Sequence, residues 1–499
     1  RIATAIYWDV LFLVTSDVHP RISYLPLAHQ EYVSLKGVKA LSMLKKAIKL
    51  MEIDAAVDKF SPVTPDHPFY VSFENLRGYF QEQAVMRILN VSQEKGQYVY
   101  HFQPNRNNKT LLFLAGMRGS GKTSELAKYS QLLNSPHCFF VINCNIGDLD
   151  MDNVQYMDIL IFQLEQLLRR ADQEKLKFDN SILESMSEWF LERVKEINRS
   201  LQAKGSLEVD GGVGSKEAPF SIQGLIGNLL GITVKLRGEL TGSYERAEQV
   251  RETFRRRFSD FSQKFNTFIE QSNEQIRRQN KGQEILFIVD GLEQTFSAET
   301  RRRIIMEESN RIRQIRANTI FTLPIELMKE EPRIRQFSEI ITFPFVKICE
   351  RDGREVPEAM LRFQEFIRRR IDTYLFESEE VMQIAIRHSG GSPRQLLSII
   401  EKANWQADPQ IGKITLQNMQ EAIQREGNAL ARYVEPHEFD VLKKVKAELE
   451  VNAPIGFNAD IQSLLDRGLL MEYNDGTYKR VNPLLEVSQL YQYHVLGNA

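Results

Sequence analysis

Eight consecutive residues, Gly116 to Thr123, carry the clearest chemistry of this 499-residue chain. Their sequence, GMRGSGKT, matches the phosphate-binding pattern G-x-x-x-x-G-K-[ST] at every fixed position. In such a loop the glycines let backbone N–H groups close around phosphate oxygens, and the following helix turns its positive end towards them. An apolar strand, Leu111–Ala115, precedes the loop, and a helix over Ser124–Leu133 is predicted to follow it. The sequence therefore predicts a nucleoside triphosphate site.

The residue types within the loop predict which group binds which part of the ligand. Lys122 is expected to reach the β- and γ-phosphates of ATP, and the Thr123 hydroxyl is expected to bind Mg²⁺. Further phosphate contacts are expected from Gly116, Arg118, Gly119, Ser120, Gly121 and Ser124. ATP and Mg²⁺ are thus the predicted substrate and cofactor.

A second strand with a terminal acid supplies the other half of the predicted site. Residues Glu284–Asp290 are apolar between two acids, which is typical of a buried strand. Asp290 is expected to end this strand beside the phosphate loop, close to Mg²⁺. Glu293 is predicted to orient and deprotonate the attacking water. The alternatives are that Asp290 caps the next helix and that Glu293 is an ordinary acid at a helix start.

Two later positions could report the γ-phosphate. Thr322 ends the strand that follows the Asp290 strand, where a hydroxyl can touch the γ-phosphate or the water. Arg394 follows Pro393 at the start of a predicted helix, and proline is pre-organised for that place. Arg394 could swing over the phosphates and couple two lobes to the nucleotide. An ordinary strand-end threonine and a plain helix-initiating turn are the competing interpretations.

The chain divides into segments of distinct character. Residues 1–68 form an N-terminal segment without an assignable role. Residues 69–350 alternate strands and helices, which predicts an α/β core with a parallel sheet, and a long insertion occupies about 172–283. Residues 351–430 read as a helical lid. Residues 431–499 read as helix, helix and hairpin, the winged-helix pattern.

Aromatic residues mark one face of the insertion. The stretch Ser243–Asn280 is predicted as a single long helix because apolar residues recur at steps of three and four. These residues are Val250, Phe254, Phe258, Phe261, Phe265 and Phe268. Packing on the core is the favoured interpretation, and a seam for a partner is the alternative.

Bulk composition excludes several classes of protein. The formal net charge of −2 provides no general attraction to nucleic acid or anionic membranes. No run of eighteen apolar residues exists, so no membrane span is expected. The three cysteines lack metal-ligand spacing, and Cys138 and Cys144 are expected to be buried thiols. This cysteine usage suits a reducing compartment, and we predict a cytoplasmic protein.

Together, the phosphate loop, Val289–Glu293 and Gly391–Arg394 resemble the AAA+ superfamily. The pattern is most similar to the bacterial signal-transduction ATPases with numerous domains (STAND), and it also resembles the origin-recognition ATPases. The resemblance implies a P-loop ATPase core with a helical lid, in which Pro393 and Arg394 belong to the lid motif. Two departures exist. More than 150 residues separate Lys122 from Asp290, and no second acid directly follows Asp290.

The resemblance implies an ATP-controlled switch. Such a protein is closed with ADP and forms a homo-oligomer with ATP, and it acts on an effector or partner protein, in many bacterial relatives for antiphage defence. An arginine from a neighbouring copy would complete the site, with Arg313, Arg316, Arg333 and Arg335 as candidates.

Two other functions compete with the regulatory ATPase. The first is a DNA-associated AAA+ ATPase, such as a loader or transposition regulator, and the second is a scaffold that binds nucleotide without hydrolysing it. The helix expected to read DNA, Asp460–Arg467, is poor in lysine and arginine, so DNA binding is not favoured. A packing role for this C-terminal region is favoured instead.

Overall fold

The computed structural model describes residues 45–59, 61–102, 109–203, 222–295, 297–451, 453, 455–474, 476 and 478–497. Most of the N-terminal segment 1–68, to which the sequence assigns no role, therefore lies outside the described residues. The described residues from Lys46 onward belong to one compact unit.

A five-stranded parallel sheet forms the centre of this unit. Its strands are β3 (Leu111–Gly116), β4 (Phe139–Asn145), β5 (Glu284–Asp290), β6 (Asn318–Pro324) and β7 (Glu339–Thr342). Their spatial order is β4-β5-β6-β3-β7, and the carboxyl ends of all five strands meet at one edge. The strands are apolar on both faces because helices cover both sides. Two short strands, β1 (Val91–Glu94) and β2 (Gln97–Tyr100), pair separately.

The register aligns the predicted site residues along that edge. Asp290 of β5 lies opposite Asn145 of β4, and Thr322 of β6 lies opposite Leu114 of β3. Strand β6 lies between the Asp290 strand and the phosphate-loop strand, so Thr322 occupies the position between the loop and the acid.

Helices before and within the core cover the sheet. Helix α3 begins at Lys122, directly after the phosphate loop, and a glycine with a positive φ stands at its N-cap. The helices before β5 are α1 (Leu50–Ala56), α2 (Glu82–Ile88), α3 (Lys122–Leu133), α4 (Tyr156–Gln173), α5 (Asn180–Ala203), α6 (Ile222–Leu240), α7 (Tyr244–Arg256) and α8 (Phe258–Arg278). Those between β5 and β7 are α9 (Ala298–Arg302), α10 (Ser309–Ile312) and α11 (Glu331–Ile334), with a π-helical turn at Arg303–Glu307.

The insertion folds against the sheet. The prediction of one helix over Ser243–Asn280 is wrong, because the chain breaks at Arg257 into α7 and α8. The aromatic face nevertheless continues across the break, and every member of it is buried in the main hydrophobic core. The core-packing interpretation is therefore confirmed for Val250, Phe254, Phe258, Phe261, Phe265 and Phe268.

Four helices after the sheet form what we call the lid, and a second group follows it. The lid helices are α12 (Pro357–Arg370), α13 (Glu379–His388), α14 (Pro393–Asn404) and α15 (Leu416–Ala431). The C-terminal module consists of α16 (Glu438–Glu450), α17 (Ala459–Asp466), the hairpin β8 (Leu470–Tyr473) and β9 (Tyr478–Val481), α18 (Pro483–Glu486) and α19 (Gln489–His494).

The C-terminal module shares its hydrophobic core with the ATPase core. Met117 of the phosphate loop, Ile325 after β6 and Phe345 after β7 belong to the same buried cluster as the apolar residues of α16, α17 and β8. Burial of apolar surface is the main favourable term in such packing. The phosphate loop therefore contacts the module through Met117.

Two expectations from composition can be compared with this fold. Cys138 and Cys144 are buried free thiols, as predicted. Within the described ranges, every helix is too short or too polar to cross a lipid bilayer.

Candidate nucleotide-binding site

Glycines shape the phosphate loop. Gly119 and Gly121 have φ values of +82° and +98°, a region that side-chain-bearing residues rarely adopt. A Cβ at Gly116 would lie 2.4 Å from the carbonyl oxygen of Phe343, so only glycine fits there. The loop also contains a buried Ser120 hydroxyl without a hydrogen-bond partner. The loop therefore has the backbone that a phosphate cradle requires.

Lys122 lies folded within its own loop. Its ammonium group donates to the carbonyl oxygens of Gly116 at 2.8 Å and Met117 at 3.0 Å. The same nitrogen lies 3.6 Å from Oε1 of Glu293, and both side chains are buried. The lysine is thus already at the centre of the predicted site, and its charge is balanced by the predicted base.

Asp290 has the electrostatic environment of a metal-binding carboxyl. Burial, and then the negative charge of Glu293, raises the pKa of Asp290 to about 6, although a hydrogen bond with Thr123 and the charge of Lys122 oppose this rise. Its Oδ1 is buried and has no hydrogen-bond partner among the described residues. A buried carboxylate oxygen without a partner, next to a threonine hydroxyl, fits Mg²⁺, which prefers oxygen ligands. Thr123 and Asp290 are the residues that would hold the ion.

Glu293 is held in its ionised form. Burial acts to raise its pKa, but Lys122, a backbone N–H and the Thr322 hydroxyl act against it, and the net pKa is lowered. Its Oε2 is buried and has no hydrogen-bond partner in the part of the chain that the structure describes. An ionised carboxylate with one free oxygen can accept a proton from water. These are the properties that a general base needs.

Thr322 lies behind Glu293. Its side chain is fully buried, and its hydroxyl oxygen accepts hydrogen bonds from the N–H groups of Gly291 at 3.0 Å and Leu292 at 3.4 Å. These contacts hold the turn that carries Glu293. The structure therefore places Thr322 where it positions the acid, and not on the wall of the cavity where the γ-phosphate would lie.

The lid approaches the phosphate loop at the start of α14. Ser392 donates its hydroxyl hydrogen to the Gly119 carbonyl oxygen at 3.2 Å, and a Cβ at Gly119 would lie 3.3 Å from Cβ of Arg394. Gly391 has φ +82°, and a Cβ there would lie 1.8 Å from the Val346 carbonyl oxygen. At the predicted turn before Pro393, the lid and the core thus approach each other closely.

Arg394 faces the same cavity as the sheet residues. Burial and the neighbouring charge of Arg118 lower the pKa of Arg394, and the carboxylates of Glu293 and Asp290 oppose this effect. Two arginines that repel one another while facing two acids form a site for a charged ligand with its metal. The structure therefore brings together Lys122, Thr123, Asp290, Glu293 and Arg394.

These residues line a cavity of about 280 Å³. The cavity is also lined by residues that the sequence analysis missed. Asn145 lies next to Asp290 at the end of β4. Arg77 and Arg370 are buried arginines that belong to no recognisable motif. Four aromatic side chains also line the cavity, namely Phe69, Tyr70, Phe73 and Phe366. No spacing signal marks this group, because its members come from the segment before the core and from the lid.

A larger concave surface, of about 1130 Å³, lies at the opposite ends of the strands. Arg313, Arg316 and Arg335 line it, beside the first residues of β3 and β6. Arg333 is outside this surface and pairs with Glu330. The first three arginines lie at the strand ends opposite to the phosphate loop of their own chain, and a role of any of the four in a neighbour's site stays a prediction.

The strand order, the loop after β3 and the acid at the end of β5 define an α/β fold of the AAA+-like P-loop ATPase type. No protein-family model and no curated protein sequence matches the chain. Among solved structures, a Walker-type ATPase of Pyrococcus abyssi is 13% identical, with a TM-score of 0.36, over 84% of this chain and 98% of that one.

The ORC1 protein of Aeropyrum pernix in complex with DNA is 10% identical, with a TM-score of 0.30, over 87% of this chain and 96% of that one. Similarity at these scores carries no functional argument. Function must therefore be inferred from the site itself.

Proposed function

We propose that this protein is an ATP-controlled switch that binds ATP with Mg²⁺, hydrolyses it, and changes its assembly with the nucleotide. One observation carries the proposal: the sheet edge and the lid each form part of the wall of a single cavity. Lys122, Asp290 and Glu293 come from the core, and Arg394 comes from the lid. A nucleotide bound between them would link the two parts of the wall, so its hydrolysis would change how they are held.

Each residue has a distinct role in the proposed reaction. The loop amides and Lys122 would bind the phosphates, while Thr123 and Asp290 would hold Mg²⁺, which neutralises phosphate charge when bound. Glu293 would take a proton from the attacking water, and Thr322 would keep Glu293 in position. Arg394 would contact the γ-phosphate from the lid side.

Contacts of the C-terminal module support a regulatory role for it. Tyr473 donates to the Gly390 carbonyl oxygen at 2.6 Å, in the turn that leads to Arg394. Asn482 and Gln395 exchange hydrogen bonds at 3.0 and 3.1 Å. The module therefore contacts both the lid turn and Met117. A change at the nucleotide would alter these contacts.

The helix expected to read DNA is engaged in packing. In α17, Gln462 donates to the Glu326 carbonyl oxygen at 2.7 Å, and Asp466 lies 3.6 Å from the guanidinium of Arg301. Both contacts join the helix to the ATPase core. They favour the restraining role of this predicted winged helix over the alternative of a DNA-associated ATPase.

Further parts of the proposal rest on the family resemblance alone. These are an effector protein controlled by the switch, a homo-oligomer in the ATP state and a role in antiphage defence. The cytoplasmic location rests instead on the cysteine usage, and the predicted domain limits rest on the pattern of strands and helices. Of these parts, the homo-oligomer is tested by what the protein does with nucleotide.

The central experiment removes the phosphate-binding cation. The Lys122→Ala variant should remain folded but lose ATP binding, because the substitution removes the counter-charge of the phosphates. Isothermal titration calorimetry with Mg²⁺ and ATP measures this, and Lys195→Ala, on exposed α5 surface, is the control. Normal ATP affinity in Lys122→Ala would contradict the site assignment.

Light scattering tests the switch. ATP should increase the mass of the particle and ADP should not, since only the γ-phosphate offers a group for a neighbouring arginine. A monomer with every nucleotide would contradict control of assembly. Tight ADP binding without turnover would favour the non-hydrolysing scaffold instead.

A further inference from the structure

Arg77 is a buried cation beside the phosphate loop that no motif identifies. It precedes Gly78 in the segment that leads to α2, and only 6% of the residue is exposed. Its side chain lines the same cavity as Lys122, Thr123 and Ser124. The segment before α2 thus brings a second positive charge to the nucleotide site.

The contacts of Arg77 leave much of its guanidinium unused. NH1 donates to the Pro344 carbonyl oxygen at 2.7 Å, and the guanidinium carbon lies 4.0 Å from the centre of the Phe343 ring. It forms no ion pair with any carboxylate of the described residues. Burial lowers the pKa of Arg77 to about 10, partly offset by the charge of Glu125, so the group remains charged at neutral pH.

The free end of the side chain points at the phosphate loop. NH2 lies 3.2 Å from the position that a Cβ would take at Gly121, the residue directly before Lys122. Around Gly121, Thr123 and Ser124 the loop turns into α3, where backbone N–H groups face the ligand. The guanidinium therefore adds hydrogen-bond donors beside the phosphate loop.

Arg77 makes no direct ion pair within the described residues, so a bound anion would offset the cost of burying its charge. We propose that Arg77 binds an oxygen of the phosphate nearest the nucleoside, while Lys122 serves the β- and γ-phosphates. This rests on the proposed function, and it extends it: the phosphate that ADP and AMP share is recognised by a cation from the segment before α2.

Arg370 provides the matched comparison. It is also a buried arginine on the cavity wall, with a pKa that burial lowers to about 9. Its NH1, however, donates to the carbonyl oxygens of Phe69 at 2.8 Å and Phe366 at 3.0 Å, and its guanidinium lies 3.7 Å from the Phe366 ring centre. Arg370 thus connects the lid with the segment before α2, and its substitution shows the effect of losing a buried arginine at this cavity.

The test compares ligands that differ only in phosphate. Arg77→Met keeps the length and apolar surface of the side chain, and Arg77→Lys keeps its charge. Affinities for ADP, AMP and adenosine are measured by calorimetry in EDTA, with full-length protein. Arg77→Met should weaken ADP and AMP by about 10- to 100-fold, the value of a charge-assisted hydrogen bond, and leave adenosine unchanged.

Thermal unfolding supplies the second measurement. In Arg77→Met, ADP should raise the melting temperature less than in the unmodified protein, while the melting temperature without ligand should stay the same. Arg77→Lys should recover most of the rise in melting temperature that ADP produces. Arg370→Met should instead lower the melting temperature without ligand and weaken ADP and adenosine alike. If Arg77→Met, like Arg370→Met, lowers the melting temperature without ligand and weakens ADP and adenosine alike, the proposal is overturned and the role of Arg77 is structural.

Failure of this inference can be told apart from failure of the proposed function. If the unmodified protein binds neither ADP nor ATP, the nucleotide site itself is wrong. If the unmodified protein binds ADP, Lys122→Ala loses ATP and Arg77→Met binds ADP normally, only the role of Arg77 is wrong.

Discussion

The ammonium nitrogen of Lys122 lies 3.6 Å from Oε1 of Glu293, while its hydrogens are donated to carbonyl oxygens of its own loop. The proposed phosphate ligand and the proposed base are therefore an ion pair. A phosphate that attracts Lys122 would compete with Glu293 for that charge. We infer that nucleotide binding makes Glu293 a better proton acceptor, because removal of a nearby cation raises its pKa.

The Glu293→Gln variant should bind ATP with Mg²⁺ but hydrolyse it roughly 10²–10⁴-fold more slowly, the usual cost of losing a positioned base. Slow hydrolysis should also prolong the assembled form. Phosphate release and light scattering on the same sample measure both effects. Glu299→Gln, on the exposed first turn of α9, should leave both unchanged.

An unaltered rate of phosphate release in Glu293→Gln would assign the base to another residue. It would also remove the main support for comparing Val289–Glu293 with the STAND pattern. Loss of ATP binding in the variant would be a different result, since it would make Glu293 part of the binding site.

Asp290 should make the stability of the nucleotide-free protein depend on pH. Its pKa is about 6 in the fold, against an ordinary value near 3.8, so the fold favours the protonated carboxyl. The linked stability is present below pH 3.8 and is lost as the pH rises through 6. The Asp290→Asn variant lacks this loss and should gain roughly 1–3 kcal/mol relative to the unmodified protein between pH 4.5 and pH 8.

Urea unfolding at both pH values measures this difference, with the exposed Asp172→Asn as the control. The same variant should gain less stability from Mg²⁺ and ATP at pH 8. A constant difference between Asp290→Asn and the unmodified protein across this pH range would contradict the elevated pKa.

Tyr473→Phe should loosen the control that the C-terminal module exerts. It removes a hydrogen bond to Gly390, worth about 1 kcal/mol, without removing the packed ring. We expect a few-fold rise in basal ATPase rate or in assembly without ATP, and no change for the exposed Tyr493→Phe. Deletion of Ala431–Ala499 should act in the same direction, but it also exposes Met117, Ile325 and Phe345. A fall in basal activity would indicate that the module activates the core.

Duplex DNA should bind weakly to this chain at physiological salt. The formal net charge is −2, and α17 carries Asp460 and Asp466, so the cations that displace counterions from DNA are scarce. Fluorescence anisotropy across a salt series measures binding. Tight, steeply salt-dependent binding that vanishes with the deletion of Ala431–Ala499 would make the DNA-associated ATPase the better interpretation.

The phosphate loop could be predicted from sequence because its function is local. Gly119, Gly121, Lys122 and Thr123 act through backbone geometry and spacing within eight residues, and an apolar strand before them sets their position. The acid at the end of Glu284–Asp290 could be predicted for the same reason. Parallel strands carry their carboxyl ends to one edge, so a terminal acid is brought to the loop whatever lies between.

Tertiary structure alone decided what depends on packing between distant segments. Strand β6 lies between β3 and β5, and there the Thr322 hydroxyl accepts the Gly291 N–H and holds the turn that carries Glu293. Arg77 and Arg370 are held in the site by buried hydrogen bonds to residues more than 250 positions away in the sequence. Such contacts leave no periodic pattern in the sequence. The break of the aromatic helix at Arg257 has the same cause. Periodicity specifies which face is buried, whereas the surface that buries it determines where the helix must bend.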